Sequence, residues 1–247
     1  MADKLNRTHV EEFLENLSRH IEQDMTIFLI GGCALCLKNL KDATVDMDIV
    51  VLSRKDFSIL SKGISKMGYA PADKELLKEA VYKNAVVVFE KGAGRIDLFI
   101  KSIVGMLDFS DRMVKRAETF FAKGHLTVKL CANIDILLLK SLSDRVKDIP
   151  DIERLLREGI DWKIILEEAE LQNREGVRWV FFVYEQLCRV ENALNIKIDG
   201  KQRVFRKCLE CWSERPRDFM VDIEKINNHI PKKYLKEINA AINPKSA

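Results

Sequence analysis

The run Ile27-Phe28-Leu29-Ile30-Gly31-Gly32-Cys33-Ala34, followed by Asp46-Met47-Asp48-Ile49-Val50-Val51, reads as an apolar strand, a glycine turn into a helix, and a second strand that carries two carboxylates. Side chains alternate along a strand, so Asp46 and Asp48 are expected to share one face while Met47, Ile49 and Val51 enter a core. Two acids side by side on a sheet invite a divalent cation. A third acid interrupts Arg95-Ile96-Asp97-Leu98-Phe99-Ile100, another short apolar strand.

Outward from these stretches the periodicity is mostly helical. Val10, Phe13, Leu14, Leu17 and Ile21 predict an amphipathic helix over residues 10–21. A strand over 26–30 follows, then a helix over 33–39 and a strand over 44–52. Phe57, Leu60, Ile64 and Met67 recur every three or four residues, and Gly68 closes that helix. Residues 86–89 and 96–100 flank Lys91-Gly92-Ala93-Gly94, which predicts a hairpin that brings Asp97 to the sheet.

One more strand is expected at 126–130, and helices at 134–142, 152–157, 162–172, 177–194 and 203–212, with two short helical segments near the C-terminus. Asn133 and Asp161 are candidate N-caps, and Gly159 is a candidate helix stop. These elements predict an α/β (α+β) class: a small mixed sheet flanked by helices over residues 1–105, and a mainly helical region over 106–247.

The 247 residues are 47% hydrophobic, enough for a sizeable core, and five prolines with eleven glycines exclude a disordered or collagenous chain. The 41 basic and 38 acidic residues are mixed along the chain, so the net charge of +3 neither demands nor excludes a nucleic-acid partner. No stretch approaches the ~20 apolar residues of a membrane span, and residues 1–24 lack the pattern of an export signal. A cytoplasmic protein without membrane contact is expected, with its six cysteines mostly free thiols. The pairs Cys33/Cys36 and Cys208/Cys211 have the spacing of zinc ligands, but the apolar setting of the first pair and the distance between the pairs favour packing.

The glycine pair, the Asp46-Met47-Asp48 triplet and the distant Asp97 resemble the signature of the polymerase-β-like nucleotidyltransferase superfamily, above all its small prokaryotic branch of uncharacterised and AbiEii-toxin-like members. The resemblance covers roughly residues 10–105 and continues more weakly to about residue 170. It implies a nucleotidyltransferase core, two Mg2+ ions, a nucleoside triphosphate as donor, and an acceptor hydroxyl on tRNA, protein or a small molecule. Membership of a toxin–antitoxin pair is left open by the sequence, which does not identify a cognate antitoxin. The chemistry would be in-line attack on the α-phosphorus, with cations about 3.5 to 4 Å apart stabilising the attacking and leaving oxygens. Asp46 and Asp48 would bind the triphosphate-side metal and help bridge to a second; Asp97 would complete the second site and accept or orient the acceptor proton.

Gly31 and Gly32 would let the backbone approach the phosphates, and the helix that follows would direct N–H groups toward them. Relatives often place Ser where Cys33 stands, so side-chain help there is weakened. Thr44 matches the Thr or Ser that often precedes the acids, with β-propensity as its ordinary explanation. Lys41 could reach a phosphate, although a surface lysine is the simpler reading. The segment Lys140-Ser141-Leu142-Ser143-Asp144-Arg145-Val146-Lys147-Asp148-Ile149-Pro150-Asp151 resembles the segment that follows the core in related nucleotidyltransferases, where the resemblance implies that a helix-borne lysine neutralises the triphosphate. That assigns Lys140 to the nucleotide, and leaves Asp148 and Asp151 to an ion-pair network or cap.

Other residues invite plainer readings. His9, His20, His125 and His229 show no ligand spacing, and Trp162, Trp179, Trp212, Phe181 and Phe182 sit at core positions of helices. Arg215-Pro216-Arg217 and Lys232-Lys233 are short basic runs suited to a solvated face. Two other functions remain open: a catalytically weak nucleotide- or partner-binding module of the same fold, and a metal-dependent phosphohydrolase using the same acids.

Overall fold

The computed structural model describes residues 4–72, 87–103, 107–143, 145–173 and 179–214. Val86, Asp144, Val177, Arg215 to Arg217, His229, Lys232, Lys233 and the expected C-terminal helical segments lie outside the described residues. The chain is of the α+β class, with a mixed sheet flanked by helices. It divides into two compact units, Met1–Ile136 and Leu137–Ala247.

In the first unit, β1 (Leu5–Asn6) enters α1 (Arg7–Ser18), where the Asn6 side chain accepts from the His9 N–H and His9 Nδ1 accepts from the Asn6 N–H. That reciprocal cap starts the helix three residues before its first apolar position. α1 buries Val10, Phe13, Leu14 and Leu17, the stripe its spacing requires. Next come β2 (Met25–Ile30), α2 (Gly31–Leu37), β3 (Ala43–Thr44) and β4 (Met47–Val51). Ser53 caps α3 (Arg54–Lys66) by accepting from the Asp56 N–H, and Gly68 ends it at φ +86°.

After β5 (Ala70–Pro71), the hairpin of β6 (Val87–Lys91) and β7 (Gly94–Ile100) turns at Gly92, whose φ of +58° suits glycine. Short strands β8 (Ser102–Ile103) and β9 (Leu107–Asp108) precede α4 (Asp111–Arg116), β10 (Glu118–Lys123) and β11 (Leu126–Leu130). The main sheet runs β10-β11-β2-β4-β7-β6-β5, with β8 and β9 attached beyond β7. β4 pairs parallel to β7, and β2 parallel to β11; the other neighbours on the path are antiparallel.

Two expectations are corrected here. The strand expected over 44–52 is two strands: the chain bends at Val45 and Asp46, because β3 pairs with β1 while β4 pairs with β2 and β7. Asp46 therefore sits in the bend, and only Asp48 lies on the strand. The division expected near residue 105 falls instead after Ile136, because β10 and β11 extend the first unit's sheet through the parallel pairing of β11 with β2. Ile27, Leu29, Ile49 and Val51 are fully buried on the central strands, each contributing roughly 1.5–3 kcal/mol.

A helix α5 (Asn133–Lys140) crosses the division. Asn133 is its first residue, not its cap; the Ala132 carbonyl accepts the first helical bonds, and the buried Asn133 Oδ1 lacks a hydrogen-bond partner. The second unit continues with α6 (Ile149–Arg157), α7 (Trp162–Leu171), α8 (Trp179–Leu194) and α9 (Lys201–Glu214). Gly159, at φ +85°, follows α6, and Asp161 caps α7 by accepting from the Lys163 and Ile164 N–H groups. α8 buries Trp179, Val180, Val183, Tyr184, Leu187 and Val190, and packs against α6, α7 and α9. Gly200 lies against the Trp162 indole so closely that a Cβ would overlap the ring.

Among the described residues no helix is long and apolar enough to cross a membrane.

Candidate active site

The parallel register of β4 and β7 makes Asp48 and Asp97 direct partners, along with Met47 and Ile96 and Ile49 and Leu98. Partners in register point to the same face. Asp97 thus stands beside Asp48, and Met47 and Ile49 fill the opposite face at 2% exposure or less. Asp46 joins them electrostatically from the bend, since its negative charge helps raise the Asp97 carboxyl. Thr44, itself buried, donates its hydroxyl to Asp46 Oδ1 at 3.4 Å, a weak bond that steadies the bend.

The glycine turn packs directly against these acids. Gly31 adopts φ +61°, and a Cβ there would collide with Asp48 Oδ2; a Cβ on Gly32 would collide with Thr44 Oγ1 and come within 3.8 Å of Lys41 Nζ. Both glycines are therefore required by close approach to the acidic strands, and Gly31 also by its backbone. Gly31→Ala should lower the unfolding free energy by about 1–2 kcal/mol from the left-handed backbone alone, read as a shift in the urea midpoint. Displacement of Asp48 adds to that loss.

The Cys33 side chain packs against backbone of the turn and of β4, its thiol within 3.7 Å of the Asp48 carbonyl. It is fully buried, and its thiol donates to the Ile30 carbonyl at 3.1 Å. Burial, then the charge of Asp48, pushes the thiol well above its ordinary range, so it stays protonated. A buried thiol engaged with the Ile30 and Asp48 carbonyls is not presented to a nucleotide, so the side-chain part of its expected role is withdrawn.

Lys140 is also corrected. Its ammonium is buried and pairs with Asp148 at 2.7 Å and Asp151 at 2.8 Å, with Arg145 adding a 2.9 Å contact to Asp148. Burial drives the Asp148 carboxyl up, but Lys140 and Arg145 together outweigh it and hold the group below its ordinary value. A lysine already neutralised by two carboxylates is a structural cation, and Asp148 and Asp151 form the ion-pair network expected of them.

Two residues carry more weight than their sequence reading allowed. Lys41 places its ammonium beside Gly32 and Thr44. Arg95 grips Asp97 side-on, Nε to Oδ1 at 2.6 Å and Nη2 to Oδ2 at 2.8 Å. Burial is the largest influence on Asp97; it raises the carboxyl, Arg95 pulls it back, and Asp46 and Glu90 add to the rise, leaving it above its ordinary value. The signal for Arg95 was its place two residues before the acid, on the same strand face.

The donor types, carboxylates with a hydroxyl beside them, are those a hard dication takes, and the glycines let Asp48 and Thr44 pack directly against the turn. The closure of the set is incomplete, since both Asp97 oxygens are held by Arg95 and, among the described residues, no three His, Cys, Asp or Glu side chains stand close enough to hold an ion. The described histidines serve the fold: His9 in the α1 cap, His20 bonded to the Asn16 carbonyl, and His125 paired with Asp24 at 2.7 Å. All six cysteines are buried and none is in a disulfide.

Compared with known proteins, the chain matches no family model and no curated protein.

Proposed function

We propose that this chain is a magnesium-dependent nucleotidyltransferase of the polymerase-β-like superfamily, of its small prokaryotic branch of uncharacterised and AbiEii-toxin-like members, acting in the cytoplasm. The observation that carries the reading is the pairing of Asp48 with Asp97 on adjacent parallel strands, against a glycine turn that a single added methyl would block. Asp46 and Asp48 would hold the cation on the triphosphate side, and Asp97 would complete a second position. When bound, magnesium supplies positive charge where negative charge builds on the attacking and leaving oxygens.

The remaining roles belong to the protein's own groups. Thr44 orients Asp46 through its hydroxyl. Gly31 and Gly32 let the acidic strands close against the turn, and Lys41, whose ammonium lies near Gly32, would supply a point charge for a phosphate. Asp97, raised by burial, is suited to take or orient the proton of an acceptor hydroxyl on RNA, protein or a small molecule.

The test is incubation with each α-labelled nucleoside triphosphate, magnesium, and pools of tRNA, protein and small hydroxyl compounds. Label should pass to one acceptor class, and Asp46→Ala should abolish the transfer. Nucleotide binding without transfer to any pool would favour the binding module. Phosphate release from a substrate without nucleotide would favour the phosphohydrolase.

A further inference from the structure

We propose that β10 is the surface through which two copies of this chain associate, edge to edge and antiparallel, about a two-fold axis between Phe120 and Phe121. β10 ends the main sheet: one side of its backbone pairs with β11, and among the described residues no strand lies on the other. Its residues, Glu118-Thr119-Phe120-Phe121-Ala122-Lys123, are all exposed or half-exposed, and neither proline nor glycine interrupts them. The opposite edge is a poor template, since β5 has two residues and Pro71 lacks an N–H.

An open edge selects a partner only through its side chains. In the proposed register Glu118 stands opposite Lys123 of the second copy, Thr119 opposite Ala122, and Phe120 opposite Phe121. A straight strand forbids this, because Glu118 and Lys123 are an odd number of residues apart and would point to opposite faces. The bulge at Phe120 permits it: β10 advances from Thr119 to Phe121 while β11 advances only from Lys129 to Val128. Glu118 and Lys123 therefore stand opposite Leu130 and Leu126 and share a face, and Thr119 and Ala122 stand opposite Lys129 and Thr127 and share the other. The direction of backbone hydrogen bonding alternates with the same period, so the matched residues of two copies present their N–H and C=O groups alike.

Leu126 and Leu130 are buried, so Glu118 and Lys123 lie on the core-facing side of the edge, where a charge ordinarily blocks strand addition. The two-fold axis sets each charge against its opposite, at both ends of the ladder, with Glu15 already paired to Lys123. The half-exposed phenylalanines meet at the axis, and the Arg7 guanidinium lies 5.7 Å from the Phe120 ring centre. A strand of unrelated sequence meets charges it does not match; a second β10 matches both.

The experiment is sedimentation equilibrium of the 247-residue chain from low micromolar to near-millimolar concentration, with thermal melts to verify folding. The wild type should show a reversible equilibrium between monomer and dimer. Glu118→Lys and Lys123→Glu each place like charges opposite one another at both ends of the ladder, and each should weaken self-association about tenfold or more. Glu118→Gln removes one charge and keeps the shape; it carries the test if a reversal does not fold, and should weaken association in the same direction. The two reversed chains, mixed, should form a heterodimer, because one edge is then basic at both positions and the other acidic. Both reversals in one chain should restore self-association. A wild type that stays monomeric throughout overturns the proposal. A dimer that the folded single variants leave unchanged, or that neither the mixture nor the double reversal recovers, overturns it as well and places the interface elsewhere.

Discussion

Lys140→Met should destabilise the second unit by about 3–5 kcal/mol, the loss expected when one partner of a buried ion cluster is removed. The ammonium lies between Asp148 and Asp151, whose side chains are 4% and 2% exposed. Methionine fills similar volume but leaves two like charges buried, with Arg145 at 2.9 Å from Asp148 and Arg154 at 3.7 Å from Asp151. Urea titration of both proteins at pH 7 measures the difference. Replacing Lys140, Asp148 and Asp151 together by apolar residues of similar size should recover most of the loss, because it removes the uncompensated charges along with their partner.

The same cluster fixes a pH dependence. Asp148 titrates below its ordinary 3.8 in the folded protein, so the unfolded chain binds its proton first as pH falls. Its contribution is complete above that ordinary value and disappears as pH drops through the lowered folded one. The stability gap between wild type and Lys140→Met should be constant from neutrality to about pH 5 and shrink below pH 4. A gap that widens in acid would contradict the assignment.

Asp48→Asn should reduce nucleotidyl transfer by about a thousandfold or more, beyond the 10²–10³ that one lost transition-state donor typically costs. Asp48 sits between the glycine turn and Asp97, so its charge acts on both halves of the proposed ion pair of sites. Asparagine preserves shape, and Asp48 is half-buried rather than sealed in the core, so the fold should survive with a midpoint close to the wild type's. Measured label transfer under saturating magnesium and nucleotide separates this loss from weakened binding. Full activity in the folded variant would remove Asp48 from the reaction.

The parts of the fold visible in the sequence were those with strong local causes. The apolar run ending at Gly31, the Gly92 hairpin and the stripe of α1 each follow from periodicity or turn chemistry within a few residues. β10 was missed because it is an edge strand, with all six of its residues exposed or half-exposed and no alternation to mark it. The division between units moved with it. Asp46 looked like a strand residue because nothing local announces that β3 turns to pair with β1. Lys140 was misassigned because its partners lie eight and eleven residues downstream, where only the packing of α6 makes them neighbours. Arg95 shows the converse: its spacing from Asp97 was legible, but a strand residue was not asked for its charge.

The three tryptophans, Trp162, Trp179 and Trp212, all belong to Leu137–Ala247. Indole emission is thus carried by one half of the chain alone, while far-ultraviolet dichroism sums both halves. Whether melting is a single cooperative event or two successive ones can be read from whether those two signals share a midpoint.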